Sequence, residues 1–433
     1  MLKRSYYNLI FEREGKQYIY NTLNNILGEL DSAECISALK GTMDINELEK
    51  EKIAEFKAAG VIIDEECDEF EIIRERGNRG RYSSEKLSLT IIPSLICNYE
   101  CIYCYQTANE KIMTTDTQKD LISFVEKAAG QIKELEVTWF GGEPLLQFSI
   151  IDSLSNQLIK ICDKNNISYS ASIITNGFLV TDEVCRRLKD IRVSYVQITI
   201  DGVGEIHDER RKHKLSEIKT FEKCIEAVKK CDDEGFDIDI RINSDKTNIN
   251  EIPNLLTFIK QMNLKNTSVS FERVTAFTEK CADRNSIYFS ADEFSDEAVK
   301  MYNLIGKMKL YPDNALILPK LKYNYCGAEQ IFSYVVDAEG DMYKCWCDIG
   351  DKNKTVGNVA DKDINDDLNV KERLYVKPVY IENEKCAECK LLPMCMGGCP
   401  REALKGKREC CISEKEIIQK AINYLGMVEK NEE

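Results

Sequence analysis

Between residues 86 and 275 the chain alternates six short apolar runs with longer amphipathic stretches, and this restricts the fold more than any other feature. The short runs are 87–92, 135–140, 170–175, 193–200, 236–243 and 269–274. Their length and their content of β-branched and aromatic residues mark them as strands. Helical patterns fit between them, as at 150–163 and 218–230. Alternation of this kind predicts an α/β fold, a parallel sheet joined by right-handed helical crossovers. Periodicity leaves open whether the sheet closes. Ligands of such folds lie beyond the carboxyl ends of the strands, so residues there are the candidates for chemistry.

The first strand hands over to Cys97-Asn98-Tyr99-Glu100-Cys101-Ile102-Tyr103-Cys104-Tyr105. Three thiolates spaced by three and then two residues suit three corners of a [4Fe–4S] cluster, with one iron left for a small molecule. Zinc is a competitor, but a structural zinc site takes four Cys or His ligands. The two histidines, His207 and His213, lie far away in sequence. The plainer reading is a helix with all three thiols on one face, or buried cysteine. Pro93 and Asn98 disfavour a helix starting here.

Gly141-Gly142-Glu143-Pro144 follows the second strand directly. Glycines let a ligand approach the backbone closely, and a carboxylate pairs with an ammonium; alone, the tetrapeptide is a turn. The cysteine spacing and this turn together resemble the radical S-adenosylmethionine (SAM) superfamily. The resemblance implies a partial (β/α)6 barrel and a cluster on Cys97, Cys101 and Cys104 whose open iron takes the amino and carboxylate groups of SAM. An electron from that cluster breaks the sulfonium bond, and the 5′-deoxyadenosyl radical abstracts a hydrogen atom from substrate. The protein's part is to position and shield this chemistry. The resemblance further implies that Gly141, Gly142, Glu143 and Pro144 bind the amino group of SAM, and that Thr199, in Thr199-Ile200-Asp201-Gly202, contacts its ribose. Arg241, on the fifth strand, fits the carboxylate by its fork geometry, with a surface ion pair as the alternative. Thr175-Asn176-Gly177 is read as turn punctuation. His207-Asp208-x-x-Arg211 resembles a stretch of peptide-modifying members, and His207 is assigned to loop ordering rather than acid–base work.

From about residue 320 the alternation gives way to cysteine-dense loops. Cys326 is followed by thirteen residues, Gly340, four residues and Cys345; then come Cys386-x2-Cys389-x5-Cys395-x3-Cys399 and Cys410-Cys411. This pattern resembles the SPASM extension of radical SAM enzymes. The resemblance implies two auxiliary [4Fe–4S] clusters, three in all. Cys326, Cys345 and Cys399 would hold one. Cys386, Cys389, Cys395 and either Cys410 or Cys411, preferably Cys411, would hold the other. Cys347 is near enough to complete the first; otherwise an open iron there is available to a substrate thiol. A two-zinc ribbon is the alternative. Cys35, Cys67, Cys162, Cys185, Cys224, Cys231 and Cys281 are read as structural, with Cys224 in the core. Trp346 is read as stacking near the auxiliary cluster or, preferably, as a buried side chain.

Residues 1–80 form a separate unit. Runs 6–11 and 17–20 pair as a hairpin around Glu14-Gly15, 32–39 and 45–59 are helical, and Gly60 stops the second helix. Runs 61–63 and 70–73 are expected strands, and 74–81 a polar, glycine-containing linker. The order suggests a winged-helix-like fold. The expected division is a winged-helix-like precursor-peptide recognition element (1–80), a radical SAM partial barrel (86–300) and a Cys-rich SPASM domain (320–425).

Two enzyme classes share this barrel and tail. Anaerobic sulfatase maturases carry an Asp base directly after the Gly-x4-Cys cysteine; here that position is Trp346, and Asp348 lies three residues past Cys345. The preferred reading is a maturase of a ribosomally made, Cys-rich precursor peptide, of the ranthipeptide or sactipeptide type. It would join a Cys sulfur to a backbone or side-chain carbon as a thioether; carbon–carbon crosslinking is the next choice and a non-enzymatic iron–sulfur or zinc scaffold the remote one. The N-terminal unit would grip the leader by β-augmentation, and a flavodoxin or ferredoxin would supply electrons. A net charge of −15 disfavours nucleic acid as partner. No run of eighteen apolar residues offers a membrane span, and the N-terminus lacks a signal-peptide core. Nineteen cysteines in a reducing cytoplasm point to metal chemistry rather than disulfides.

Overall fold

The computed structural model describes residues 1–107, 109–215, 217–275, 286–310, 321–406 and 413–431. Its N-terminal part contains β1 (Leu2–Arg4), β2 (Asn8–Arg13), β3 (Lys16–Asn21), β4 (Ile26–Leu30), α1 (Ala33–Lys40), α2 (Lys50–Ala58), β5 (Ile62–Asp64) and α3 (Glu69–Arg81). The middle part runs β6 (Lys86–Ile91), β7 (Tyr99–Cys101), α4 (Thr115–Ala128), β8 (Glu134–Trp139), α5 (Phe148–Asn165), β9 (Ser168–Thr175), α6 (Asp182–Asp190) and β10 (Val193–Thr199). It continues through α7 (Glu205–Arg210), β11 (Arg211–His213), α8 (Phe221–Asp233), β12 (Asp237–Ser244), α9 (Ile252–Gln261), β13 (Thr267–Arg273) and α10 (Ala291–Met308). The tail adds β14 (Ser333–Val336), β15 (Asp341–Tyr343), β16 (Gly357–Asn358), α11 (Val370–Val376), α12 (Glu384–Ala387), α13 (Leu392–Cys395), α14 (Pro400–Leu404) and α15 (Glu414–Asn431).

All six strands expected in the middle part are present, within two residues at each end. They lie side by side in the order β6-β8-β9-β10-β12-β13, every pair parallel. Sequential order with crossovers of one hand puts the helices on one face of the sheet. Leu87, Leu89, Leu135, Val137 and Trp139 face them and join the largest core, with Phe124 of α4 and Leu154 and Leu158 of α5. The alternate residues face away and are polar. Ser88 donates to Glu136 at 3.1 Å, Thr138 and Ser172 lie 3.0 Å apart, and Gln197 and Ser270 donate to Asp239 at 2.8 and 2.7 Å. This ladder accounts for the period-2 pattern of the strands: one face is buried under the helices and the polar face is only partly covered. The tail continues the same sheet: β14 pairs in parallel with β6, and β15 and β16 follow antiparallel.

The N-terminal hairpin is present as β2 and β3, and a third strand, β4, joins β3 to give the order β2-β3-β4. One face of this small sheet packs Ile19 and Leu30 on α1 and α2; the other packs Leu9, Phe11, Tyr18 and Tyr20 on Leu391, Met394 and Ile417 of the tail. Run 61–63 is a strand, β5, paired with β1. Run 70–73 is not a strand and 74–81 is not a linker: both lie in the continuous helix α3, whose Asp68 cap accepts from the Glu71 N–H. The reason is tertiary. Its two glycines give a close helix approach, since a Cβ on Gly77 would stand 2.5 Å from the Tyr380 hydroxyl and one on Gly80 2.5 Å from Tyr323 Cβ. Arg81, at the helix end, forms a fully buried ion pair with Glu329 at 2.9 Å.

Candidate active site

The cysteine loop is not helical. After β6 it turns through 93–98 and forms β7, which pairs antiparallel with β11 so that Tyr99 faces His213 and Cys101 faces Arg211. The helix-stripe alternative therefore fails. Cys97, Cys101 and Cys104 line one cavity of about 530 Å³ at the carboxyl ends of the strands. Burial pushes the thiols of Cys97 and Cys101 up, the latter to about 12, and Arg211 opposes the rise at both.

The Gly-Gly turn after β8 fits against this loop. Gly142 and Glu143 donate their N–H groups to Ser94 O (3.2 Å) and Ile96 O (2.9 Å). A Cβ on Gly141 or Gly142 would stand 2.4 Å from Ser94 O or Ile96 O. What approaches these glycines so closely is the cysteine loop itself, though both also line the cavity. Glu143 and Pro144 do not line it. The buried Glu143 carboxylate accepts from Leu145 N (3.0 Å), Thr175 Oγ1 (2.7 Å) and Asn176 N (2.7 Å). Asn176, read from sequence as turn punctuation, donates from its side chain to Asn98 Oδ1 at 2.7 Å and lines the cavity. Its place at a strand's carboxyl end was the available signal.

Thr199 and Arg241 are neighbours in the β10–β12 register, and both line the cavity. Arg241 also lies 3.6 Å from Glu272. Beneath them runs a buried polar network. Tyr103 donates its hydroxyl hydrogen to Asp201 and accepts from Arg211 Nη1 (2.6 Å) and Asn243 Nδ2 (3.1 Å). His207 is buried, and its Nδ1 accepts from Asp201 N at 3.3 Å. Burial, then Arg211 and Arg210, drive its pKa well below the ordinary value, so the ring is neutral. Asp208 accepts from Thr220 N and Phe221 N at the start of α8, and Arg210 grips Asp245 through two 2.9 Å contacts. This stretch thus orders its loop. Cys224 is core, its thiol donating to Asn176 O at 3.0 Å.

The tail supplies the other wall of the cavity. Cys326, Cys345, Cys347 and Cys399 all line it, and Cys345 and Cys347 touch. Cys386, Cys389 and Cys395 are elsewhere. Cys386 packs among Tyr7, Ile73 and Tyr380, and Cys389 by Leu9 and Tyr20. Cys281, Cys410 and Cys411 lie outside the described residues. Trp346 is not buried as expected; it is 41% exposed and leans on Phe140, ring centres 5.0 Å apart, at the cavity wall. Asp348 is committed: it accepts from Arg401 Nε at 2.8 Å and from the Tyr375 hydroxyl. Lys344 donates to Gln330 O (2.5 Å) and Ser333 O (2.8 Å), and burial brings its pKa down to about 7. Among the described residues, every charged residue lining the cavity is basic (Arg211, Arg241, Arg273, Lys344 and Arg401) in a chain of net charge −15. That polarity suits anionic clusters and the carboxylate of SAM.

The donor set also separates clusters from single ions. Zn–S bonds of about 2.3 Å place tetrahedral thiolates about 3.8 Å apart. Among the described residues no three thiols come within 4.8 Å of one another. In a cubic cluster each thiolate takes its own iron, which requires a wider spacing. Cys345 and Cys347, which touch, are too close for two corners of one cluster, so the fit to a [4Fe–4S] cluster with SAM rests on the cavity that Cys97, Cys101 and Cys104 line and on its cations.

A family model described as the radical SAM superfamily matches residues 91–259, from the end of β6 through most of α9. An uncharacterised protein of Methanocaldococcus jannaschii is 30% identical over 274 residues, covering 60% of this chain and 87% of that protein. A cysteine-type anaerobic sulfatase-maturating enzyme of Clostridium perfringens is 23% identical over 366 residues, 78% of this chain and 93% of that enzyme. Streptococcus suis SuiB, solved bound to its precursor peptide SuiA, aligns with a TM-score of 0.52 at 17% identity, over 96% of this chain and 99% of SuiB. Likeness at that identity speaks for the fold alone. The archaeal relative, matched over most of its length, and the family model seated on the cysteine loop lead to one conclusion: this chain belongs to the radical SAM superfamily, enzymes that work with a [4Fe–4S] cluster and SAM.

Proposed function

We propose that this enzyme matures a ribosomally made precursor peptide, and that its reaction is thioether formation between a Cys sulfur and a backbone or side-chain carbon of that peptide. The observation that carries the reading is one cavity bounded by Cys97, Cys101 and Cys104 on one side and by Cys326, Cys345, Cys347 and Cys399 on the other. A peptide held there would lie between two thiol-bound clusters. Bound SAM and the first cluster would supply a radical that removes hydrogen from the peptide, and the auxiliary clusters would take the electron released when the new bond forms.

The chain's own residues have distinct tasks. Gly141 and Gly142 hold the cysteine loop in place, and their backbone borders the SAM site. Thr199 and Arg241 face the cavity, where a hydroxyl suits the ribose and a guanidinium suits a carboxylate. Phe140, Ile174, Val274 and Trp346 give the cavity an apolar wall that excludes water from the substrate. Cys386, Cys389 and Cys395, with Cys410 or Cys411, would hold the remaining cluster.

The leader would pair with the N-terminal sheet. Both faces of that sheet are covered, so its edges are what remain. Lys390 of the tail donates to Asn8 O on β2 at 2.9 Å, which favours the β4 edge. An extended peptide added there bonds through main-chain groups with little sequence demand. SuiB, which aligns through this N-terminal part, was crystallised with its precursor peptide. A flavodoxin or ferredoxin is the electron donor in this scheme. Sulfatase maturation is the weaker reading because Trp346 replaces the Asp base and Asp348 is bound to Arg401 and Tyr375.

Coexpression with a Cys-containing precursor tests the proposal. The expected product loses two hydrogens per link, with the link on a Cys, and Ala at Cys97, Cys101 and Cys104 abolishes it together with 5′-deoxyadenosine formation. Nucleotide cleavage that never alters a peptide mass would overturn the peptide reading.

A further inference from the structure

Arg211, which closes the His207-Asp208-x-x-Arg211 stretch, lines the cavity with the first cysteine trio. It opens β11 directly across the antiparallel pair from Cys101. The side chain is buried, at 6% residue exposure. Tyr103 fixes it from one side by accepting from Nη1 at 2.6 Å, and the Tyr99 ring faces it with 5.7 Å from guanidinium to ring centre. Its Nε–H is buried and finds no acceptor in the protein among the described residues. Leaving such a group unpaired costs about 1–3 kcal/mol, and more for a charged one. Arg211 lines the same cavity as the three cysteines, so an acceptor bound there could reach this group.

The neighbouring Arg210 also leaves its Nε–H without an acceptor among the described residues, but its terminal nitrogens are held by a carboxylate. Arg210 spends two nitrogens on Asp245 and one more contact on Asn243 O. Arg211 has no carboxylate of its own within ion-pair distance among the described residues. The residue directly across the strand pair from it is Cys101. Hydrogen bonds to cluster sulfurs and the charge around them are what set iron–sulfur potentials.

We propose that Arg211 is a positioning residue for the cluster held by Cys97, Cys101 and Cys104, presenting a fixed positive charge and its Nε–H to the Cys101 corner and so raising that cluster's reduction potential. Reduction by one electron adds one negative charge to the cluster. A cation held in a dry site stabilises the reduced form more than the oxidised one. Tyr103 and Asp201 keep the guanidinium from turning away.

The test is a redox titration of the anaerobically reconstituted full-length enzyme with dithionite and mediators, followed by electron paramagnetic resonance in the absence of SAM. The signal of the first cluster is identified in parallel samples as the one that SAM perturbs. Arg211→Met and Arg211→Gln are each expected to shift the reduction equilibrium at least tenfold toward the oxidised form, about 59 mV for one electron. Arg211→Lys, which keeps the charge, shifts it less, and the other cluster signals stay in place. A first cluster with full iron and an unchanged potential in Arg211→Met would overturn the proposal. A fall in SAM affinity alone would overturn it too, by assigning Arg211 to the nucleotide. So would loss of first-trio iron from both Met and Gln variants with the fold intact, because the residue would then serve assembly rather than tuning.

Discussion

Replacing Glu143 by Gln separates two roles for the Gly-Gly-Glu-Pro turn. The resemblance to radical SAM enzymes implies that this carboxylate meets the amino group of SAM. In the structure it is buried, does not line the cavity, and accepts from Leu145 N, Thr175 Oγ1 and Asn176 N. A Gln at this position keeps one acceptor oxygen for Leu145 and Thr175 but turns an NH2 toward the Asn176 N–H. One hydrogen bond to a charged group is lost, worth about 1.5–3 kcal/mol, and a buried donor is stranded at about 1–3 kcal/mol. The two overlap, so the net cost is about 2–4 kcal/mol, or roughly 30- to 1000-fold in the equilibrium that holds the strand end. Asn176 passes this loss to Asn98, beside Cys97, through the 2.7 Å side-chain bond. The expected result is that iron leaves the first trio to a chelator at least tenfold faster in Glu143→Gln, while tail iron is unchanged. Full retention of iron with weakened SAM binding alone would refute this reasoning and place the carboxylate on the nucleotide.

Three further outcomes follow from the packing. Gly142→Ala puts a Cβ 2.4 Å from Ile96 O and 2.5 Å from Leu95 O, both backbone; the overpacking costs about 1–3 kcal/mol, and iron analysis of Gly142→Ala should show less iron per chain than in the unaltered protein. Arg81→Met leaves Glu329 buried without its cation, a loss of about 3–5 kcal/mol; the urea midpoint should fall, the Cys326 thiol of the metal-free protein should react faster, and adding Glu329→Gln should restore most of the stability. His207 is neutral when folded, whereas the unfolded chain protonates it below about pH 6.5. The unfolded state then binds more protons, so stability falls on acidification by up to about 1.4 kcal/mol per pH unit. His207→Gln should remove that component from urea midpoints measured between pH 6.5 and 5.

The site was legible in the sequence where its chemistry depends on local spacing. Cys97, Cys101, Cys104 and the Gly141-Gly142 turn stand close behind strands that the apolar runs located, and strand ends are where such folds bind ligands. Thr199 and Arg241 were assigned through the family resemblance, and the structure sets both on the cavity. The rule also applied to Asn176, but an Asn-Gly pair reads first as a turn. Arg211 escaped because its partner, Cys101, is 110 residues earlier and is met only through the β7–β11 pair. For Trp346 the preference for burial was wrong, because a large aromatic side chain is ordinarily buried; the alternative, a place near the tail cysteines, matches its position on the cavity wall with Cys345 and Cys347.

Short-range pattern determined the six parallel strands, the helices between them and the grouping of cysteines along the chain, because side-chain period and ligand spacing are properties of neighbouring residues. Tertiary structure decided the rest. It made residues 70–81 a helix, since Gly77, Gly80 and Arg81 are used by contacts with Tyr380, Tyr323 and Glu329 some 240 to 300 residues away. It also carried β14 back beside β6, which brings Cys326, Cys345, Cys347 and Cys399 to the same cavity as the first trio. No local preference encodes such meetings; they arise from extending the sheet beyond β6 and burying apolar faces between parts of the chain that are remote in sequence.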